Sequence, residues 1–110
     1  MPNIKIYMDQ GLPEHTQVGV RENLAPLREI VCRTLKVESS ACQLAILLAY
    51  GLADQPVVNI EVAILPKPDR TRPVLSDLAE KIQKSIANAV NGPVAVRLSV
   101  LDPTMYISLK

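Results

Sequence analysis

The sequence predicts an α+β fold in two layers: tandem β-α-β units forming one four-stranded sheet, with two helices on one face. Three observations predict it. Strand, helix and strand periodicities follow one another twice along 110 residues, which is the length of one domain. The opening Pro2-Asn3-Ile4-Lys5-Ile6 is echoed by Val58-Asn59-Ile60-Glu61-Val62. The apolar content is 48% and aliphatic, with three Tyr, no Phe and no Trp. The expected organisation is a single domain, 1–110, made of two pseudo-repeats of about 1–55 and 56–110.

The elements follow in order. Ile4, Ile6 and Met8 alternate with Asn3, Lys5 and Tyr7, so 2–8 is predicted as a strand. Residues 9–18, with Gly11, Pro13 and His15, are predicted as a loop. From about Glu22 the period becomes helical, with Leu24, Leu27, Ile30, Val31, Thr34 and Leu35 on one stripe and Pro26 in the first turn. Residues 42–49 form a second strand. Its unbroken apolar run implies that both faces are covered, and a second copy of the chain is the simplest cover. Residues 57–65 alternate again as a third strand. After a loop at 66–72, a second helix carries Leu75, Leu78, Ala79, Ile82, Ile86, Ala89 and Val90 and is stopped by Asn91-Gly92-Pro93. A fourth strand is expected at 94–101, and a short edge strand at 105–109.

Composition removes several classes of function. Twelve basic and eleven acidic residues leave a net charge of +1, without the basic excess of a nucleic-acid binder. The scarcity of aromatics also speaks against a base-stacking platform. The longest stretch free of polar side chains, 44–53, is far short of the roughly 20 residues of a membrane span, and the start of the chain lacks signal-peptide character. Cys32 and Cys42 with a single His make no zinc pattern and are expected to be small core residues in a reducing compartment. A cytoplasmic location follows, with no metal or other cofactor, no nucleic acid and no membrane partner.

Three features could carry chemistry. Removal of Met1 would leave Pro2 as a secondary amine anchored on a strand. An α-amine already titrates below Lys, and burial or nearby cations lower it further, so it can accept a proton from carbon near neutral pH. Lys67, Arg70 and Arg72 cluster before the second helix, where arginine forks can hold a small carboxylate substrate. Arg97 lies on the strand face opposite Val94, Val96 and Leu98, where it would meet either a ligand or an acid such as Glu61 across a subunit contact. Tyr50 and Tyr106 are expected to pack in the core or line a pocket.

Together these features resemble the tautomerase superfamily, whose members carry a catalytic N-terminal proline on β-α-β units. Tyr50-Gly51-Leu52-Ala53-Asp54 and Leu101-Asp102-Pro103-Thr104-Met105 look like the 5-carboxymethyl-2-hydroxymuconate isomerase group. Arg70 to Tyr106 resembles one unit of 4-oxalocrotonate tautomerase. The resemblance implies that Pro2 is the base of an isomerase moving a proton in a small enol or 2-keto acid. It implies that Arg70 or Arg72 holds the carboxylate, that Arg97 is the strand arginine, that Tyr106 lies near the aromatic pocket residue, and that the protein is a homotrimer. Some relatives decarboxylate or hydrate small acids instead. The chain departs from the pattern at Gln43, where the first half would carry its strand arginine, and it has no arginine in the first loop before Arg21. One of the two pseudo-equivalent sites is therefore expected to function, and only once Met1 is gone. The rival readings are a non-catalytic trimeric scaffold and a ferredoxin-like module that binds a small ligand.

Overall fold

Strands β1 (Asn3–Asp9), β2 (Gln43–Ala49), β3 (Val58–Ile64) and β4 (Val94–Val100) form a single sheet in the order β2-β1-β3-β4. The computed structural model describes residues 1–110. β1 and β2 run parallel, as do β3 and β4, while β1 and β3 are antiparallel at the centre. Each parallel pair is joined by a helical crossover: α1 (Glu14–Glu22) and α2 (Leu24–Leu35) in the first half, α3 (Arg72–Ala87) in the second. The parallel strands of each half are direct neighbours. That removes the ferredoxin-like alternative, in which a β-α-β unit is split by another strand.

The expected alternation sets the core. Ile4, Ile6 and Met8 of β1 and Val58, Ile60, Val62 and Ile64 of β3 are buried on the helix side of the sheet. Leu27, Val31 and Leu35 of α2 and Leu78, Ile82 and Ile86 of α3 meet them. At roughly 1.5–3 kcal/mol per buried aliphatic side chain, this one cluster supplies most of the driving force for folding. The opposite face carries Lys5, Glu61 and Arg97 in one cross-strand row. No helix is long and apolar enough to cross a membrane.

Three expectations need correction. Residues 9–18 are not all loop, because α1 begins at Glu14 and carries His15. Its stripe is hidden from periodicity since only Val20 is buried. Gly19 explains how the helix still packs: a Cβ there would stand 3.6 Å from Ala89 Cβ, so the bare backbone lies against the end of α3. Pro26 then separates α1 from α2, because it cannot donate the helical bond to the Glu22 carbonyl. Second, α3 ends at Ala87, before the Asn91-Gly92-Pro93 stop. Third, 105–109 is not a strand. Met105, Ile107 and Leu109 are largely exposed, and within the chain no free edge is aligned with them. β2 is an edge strand, and Leu47 and Leu48 remain uncovered in the single chain, which leaves them open to the expected cover by a second copy.

Lys36 closes α2 in the left-handed region at φ 56°. A Cβ costs about 1 kcal/mol or more in that conformation. Lys36→Gly is therefore expected to raise stability by roughly 0.5–1 kcal/mol, seen as a higher urea midpoint with an unchanged slope.

Candidate functional site

Proline has no N–H to give a sheet ladder, so it belongs at the start of a strand. Pro2 stands there and is buried, just ahead of β1. Its carbonyl accepts the Gln43 N–H at 3.0 Å, which ties it to the start of β2. The backbone on its amino side leads out to Met1, whose side chain is 39% exposed.

Arg70 is brought to this end of the sheet by a tight turn. Arg70 N–H donates to the Lys67 carbonyl at 2.9 Å, with Pro68 and Asp69 in the middle of the turn. Pro presets the φ such a turn requires at its first central position. The turn folds the Arg70 side chain inward to 8% exposure, making it the one buried charged side chain. Its Nη1 donates to the Leu65 carbonyl at 2.7 Å. Its Nε and Nη2 are buried and have no partner. Such groups are costly to leave unpaired, and these two nitrogens carry three N–H donors. Arg72 follows at the first turn of α3. With Arg70, Ser76, Leu75 and Leu98 it lines a groove of about 580 Å³.

The segment after β4 supplies another wall. Leu101 N–H donates to the Ile64 carbonyl at 2.8 Å. The Asp102 carboxylate then accepts from Thr104 N–H and Oγ1, at 3.0 and 2.8 Å. Those two bonds, the backbone one first, hold its carboxyl below the usual range. The Tyr106 N–H closes on the Asp102 carbonyl at 2.9 Å. This turn directs Tyr106, Ser108 and Lys110 to a cavity of about 130 Å³ bounded also by Met1, Gln43 and Leu65. Lys110 Nζ contacts Met1 Sδ.

The Met1 amino group, at this cavity, is less basic than an ordinary α-amine. Burial is the largest cause, followed by the charges of Arg70, Lys110 and Lys67, with Cys42 opposing them weakly. Cys42 itself is pushed up to about 11 by burial and by the neighbouring Cys32, so it stays a thiol at neutral pH. Both cysteines are free. No cluster of His, Cys, Asp and Glu could hold a metal ion.

The residues nominated from sequence thus divide into two groups. Pro2, Arg70 and Tyr106 gather at one end of the sheet, with Arg72 beside Arg70 in the groove. Arg97 lies on the opposite face, exposed, and donates to Asn59 Oδ1 at 3.3 Å instead of pairing with Glu61. Within one chain the sheet separates it from Arg70. Tyr50 and Tyr106 are not core residues, being 89% and 42% exposed. Lys110 was not legible in the sequence, because only the turn at Asp102 brings it near Met1. The largest groove, about 710 Å³ between α2 and β2, is lined by Lys5, Arg28, Cys42 and Gln43 among others and holds none of the nominated residues. Chemistry favours the smaller cavity, where the Met1 amine feels the charge of Arg70, whose Nη1 donates to the carbonyl of the wall residue Leu65.

No protein-family model and no curated protein matches the chain. Solved structures do. A domain of unknown function (DUF1904) from Sebaldella termitidis superposes with a TM-score of 0.74 at 17% identity, covering 98% of this chain and 95% of that one. A macrophage migration inhibitory factor-like protein from Entamoeba histolytica gives 0.70 at 12% identity, covering 97% and 94%. A wild-type fused 4-OT, solved as an asymmetric trimer, gives 0.68 at 13% identity, covering 96% and 91%. At these identities the likeness is one of fold: the chain has the four-stranded, tautomerase-type α+β fold of the fused 4-OT and migration inhibitory factor-like structures.

Proposed function

We propose that the chain, once Met1 is removed, is an acid–base isomerase of a small unsaturated or 2-keto carboxylic acid. The Pro2 amine is the base, Arg70 and Arg72 hold the carboxylate, and Tyr106 walls the site. The observation that supports this reading is a buried Pro2 beside the Met1 amine, whose basicity is lowered by burial and then by the Arg70 charge, while two guanidinium nitrogens of buried Arg70 have no partner. A neutral amine takes a proton from one carbon and returns it to another. The guanidinium offsets the negative charge that builds on the enolate oxygen between the two transfers.

The working form is a homotrimer in the cytoplasm. Two edge strands, exposed Leu47 and Leu48, and the apolar segment around Ile107 and Leu109 favour burial against other copies. The fused 4-OT that this chain resembles in fold is a trimer. In such an assembly Arg97, remote from Pro2 in its own chain, is free to serve a neighbour.

The test is ketonisation of phenylenolpyruvate by protein whose mass shows loss of Met1, beside a form with one Ala inserted before Pro2. The insertion converts the amine to an amide. Turnover should drop by about 10²–10⁴-fold, the span that a positioned base contributes. Equal turnover of the two forms refutes an amine base. A non-catalytic trimeric scaffold is the second reading. It is favoured by Met1 Sδ lying against Lys110 within the cavity wall, where it would remain if methionine were retained. Intact mass of the purified protein separates the two.

A further inference from the structure

We infer that Lys110 is a second anion-binding residue of the Pro2 site, one that grips the substrate from the side opposite Arg70. The inference rests on the reading above and adds a residue to it. Three observations carry it. The turn fixed by Asp102 and Thr104 leads the chain from β4 back to the amino terminus, so the position of Lys110 follows from a hydrogen-bonded bend. Lys110 and Tyr106 share one cavity with Met1. Lys110 Nζ has no carboxylate within salt-bridge reach, since the single ion pair in the chain joins Lys81 and Asp77. Its contact is instead the thioether of Met1, an apolar group that leaves with the methionine.

Loss of Met1 therefore does two things at once. It frees the Pro2 amine, and it vacates the volume against which the ammonium lies. An anion entering that volume meets Lys110 on one side, and on another Leu65, whose carbonyl accepts from Arg70 Nη1 and so brings the Arg70 charge behind that wall. A lysine here acts as a movable point charge, whereas Arg70 offers a fixed fork. Lys110 also lowers the basicity of the Met1 amine, behind burial and Arg70 and ahead of Lys67, with Cys42 as the one opposing group, and its charge would act in the same direction on the Pro2 amine exposed once Met1 is gone. Its removal should raise that basicity.

The probe is fumarate, an unsaturated acid with no enol to isomerise, titrated calorimetrically into the Met1-free protein. Lys110→Gln should weaken fumarate binding about ten-fold, the worth of one charge-assisted hydrogen bond, and Lys110→Arg should restore most of it. With phenylenolpyruvate, Lys110→Gln should raise KM more than it lowers kcat and move the acidic limb of the rate profile to higher pH. A structural role for the lysine would move neither the limb nor the fumarate affinity. Unchanged fumarate affinity in Lys110→Gln, or no binding by the unaltered protein, overturns the inference. Because fumarate binding is read without turnover, an inactive protein that still loses affinity in Lys110→Gln rejects the isomerase reading and keeps the anion site.

Discussion

Pro2→Ala is expected to lower kcat/KM for phenylenolpyruvate by about 10²-fold while leaving the protein folded. The size follows from what the substitution keeps. Alanine after methionine removal still presents an α-amine at the head of β1, so the base is weakened and loosened without being abolished. That places the loss at the lower end of the 10²–10⁴-fold contributed by a positioned base. Stability should change by no more than about 1 kcal/mol, because Pro2 gives the sheet only its carbonyl, which accepts from the Gln43 N–H, and alanine keeps that group. The pH dependence has a determined sign. The reaction needs the neutral Pro2 amine, and the surroundings that lower the basicity of the Met1 amine one residue before it, burial first and then the charges of Arg70, Lys110 and Lys67, would act on it in the same direction. Activity should therefore persist below the pH at which an ordinary α-amine protonates, and fall as pH drops through the depressed value. Neutralising Arg70 or Lys110 should move that limb upward. A Pro2→Ala protein with undiminished turnover, or a rate that rises as the amine protonates, would contradict the assignment.

Residue pattern reaches the fold further than the site. The alternation in β1 and β3 and the stripe of α3 describe two faces each, and burial follows them almost position by position. α1 escaped because its packing uses a bare glycine backbone against Ala89, which leaves no hydrophobic period to read. The 105–109 segment alternates as a strand does, but alternation needs a partner edge, and a single chain provides none. At the site, the placement of Pro2 was legible because a residue without an N–H fits at the head of a strand. Arg70 and Arg72 were legible only as a cluster. Nothing in Lys67-Pro68-Asp69-Arg70-Thr71-Arg72 states which arginine turns inward, and the answer lies in the bond from Arg70 N–H to the Lys67 carbonyl. Arg97 shows the opposite limit: its strand face was correctly foreseen, but that face belongs to another side of the chain than the amine.

Arg70→Met should make the protein at least as stable and abolish anion binding. A guanidinium at 8% exposure with one hydrogen bond and two unpartnered nitrogens is an expensive group to keep. Each unsatisfied buried donor costs about 1–3 kcal/mol, and replacing a buried charge by an apolar side chain of similar volume is often neutral or stabilising by about 1–4 kcal/mol. Methionine fills the space flexibly and leaves the Leu65 carbonyl as the one orphaned group. The expected result is an urea midpoint equal to or above that of the unaltered protein. Fumarate affinity and phenylenolpyruvate turnover should each fall by about 10²-fold or more, since a bidentate charge-assisted grip is lost. Arg70→Lys should not rescue binding, because a point charge cannot reproduce the fork. Saturating fumarate should raise the melting temperature of the unaltered protein and leave that of Arg70→Met where it was. A marked loss of stability in Arg70→Met would instead make Arg70 a structural strut for the Lys67 turn. The opposite pattern, stability gained as binding is lost, is the mark of a residue retained for its ligand.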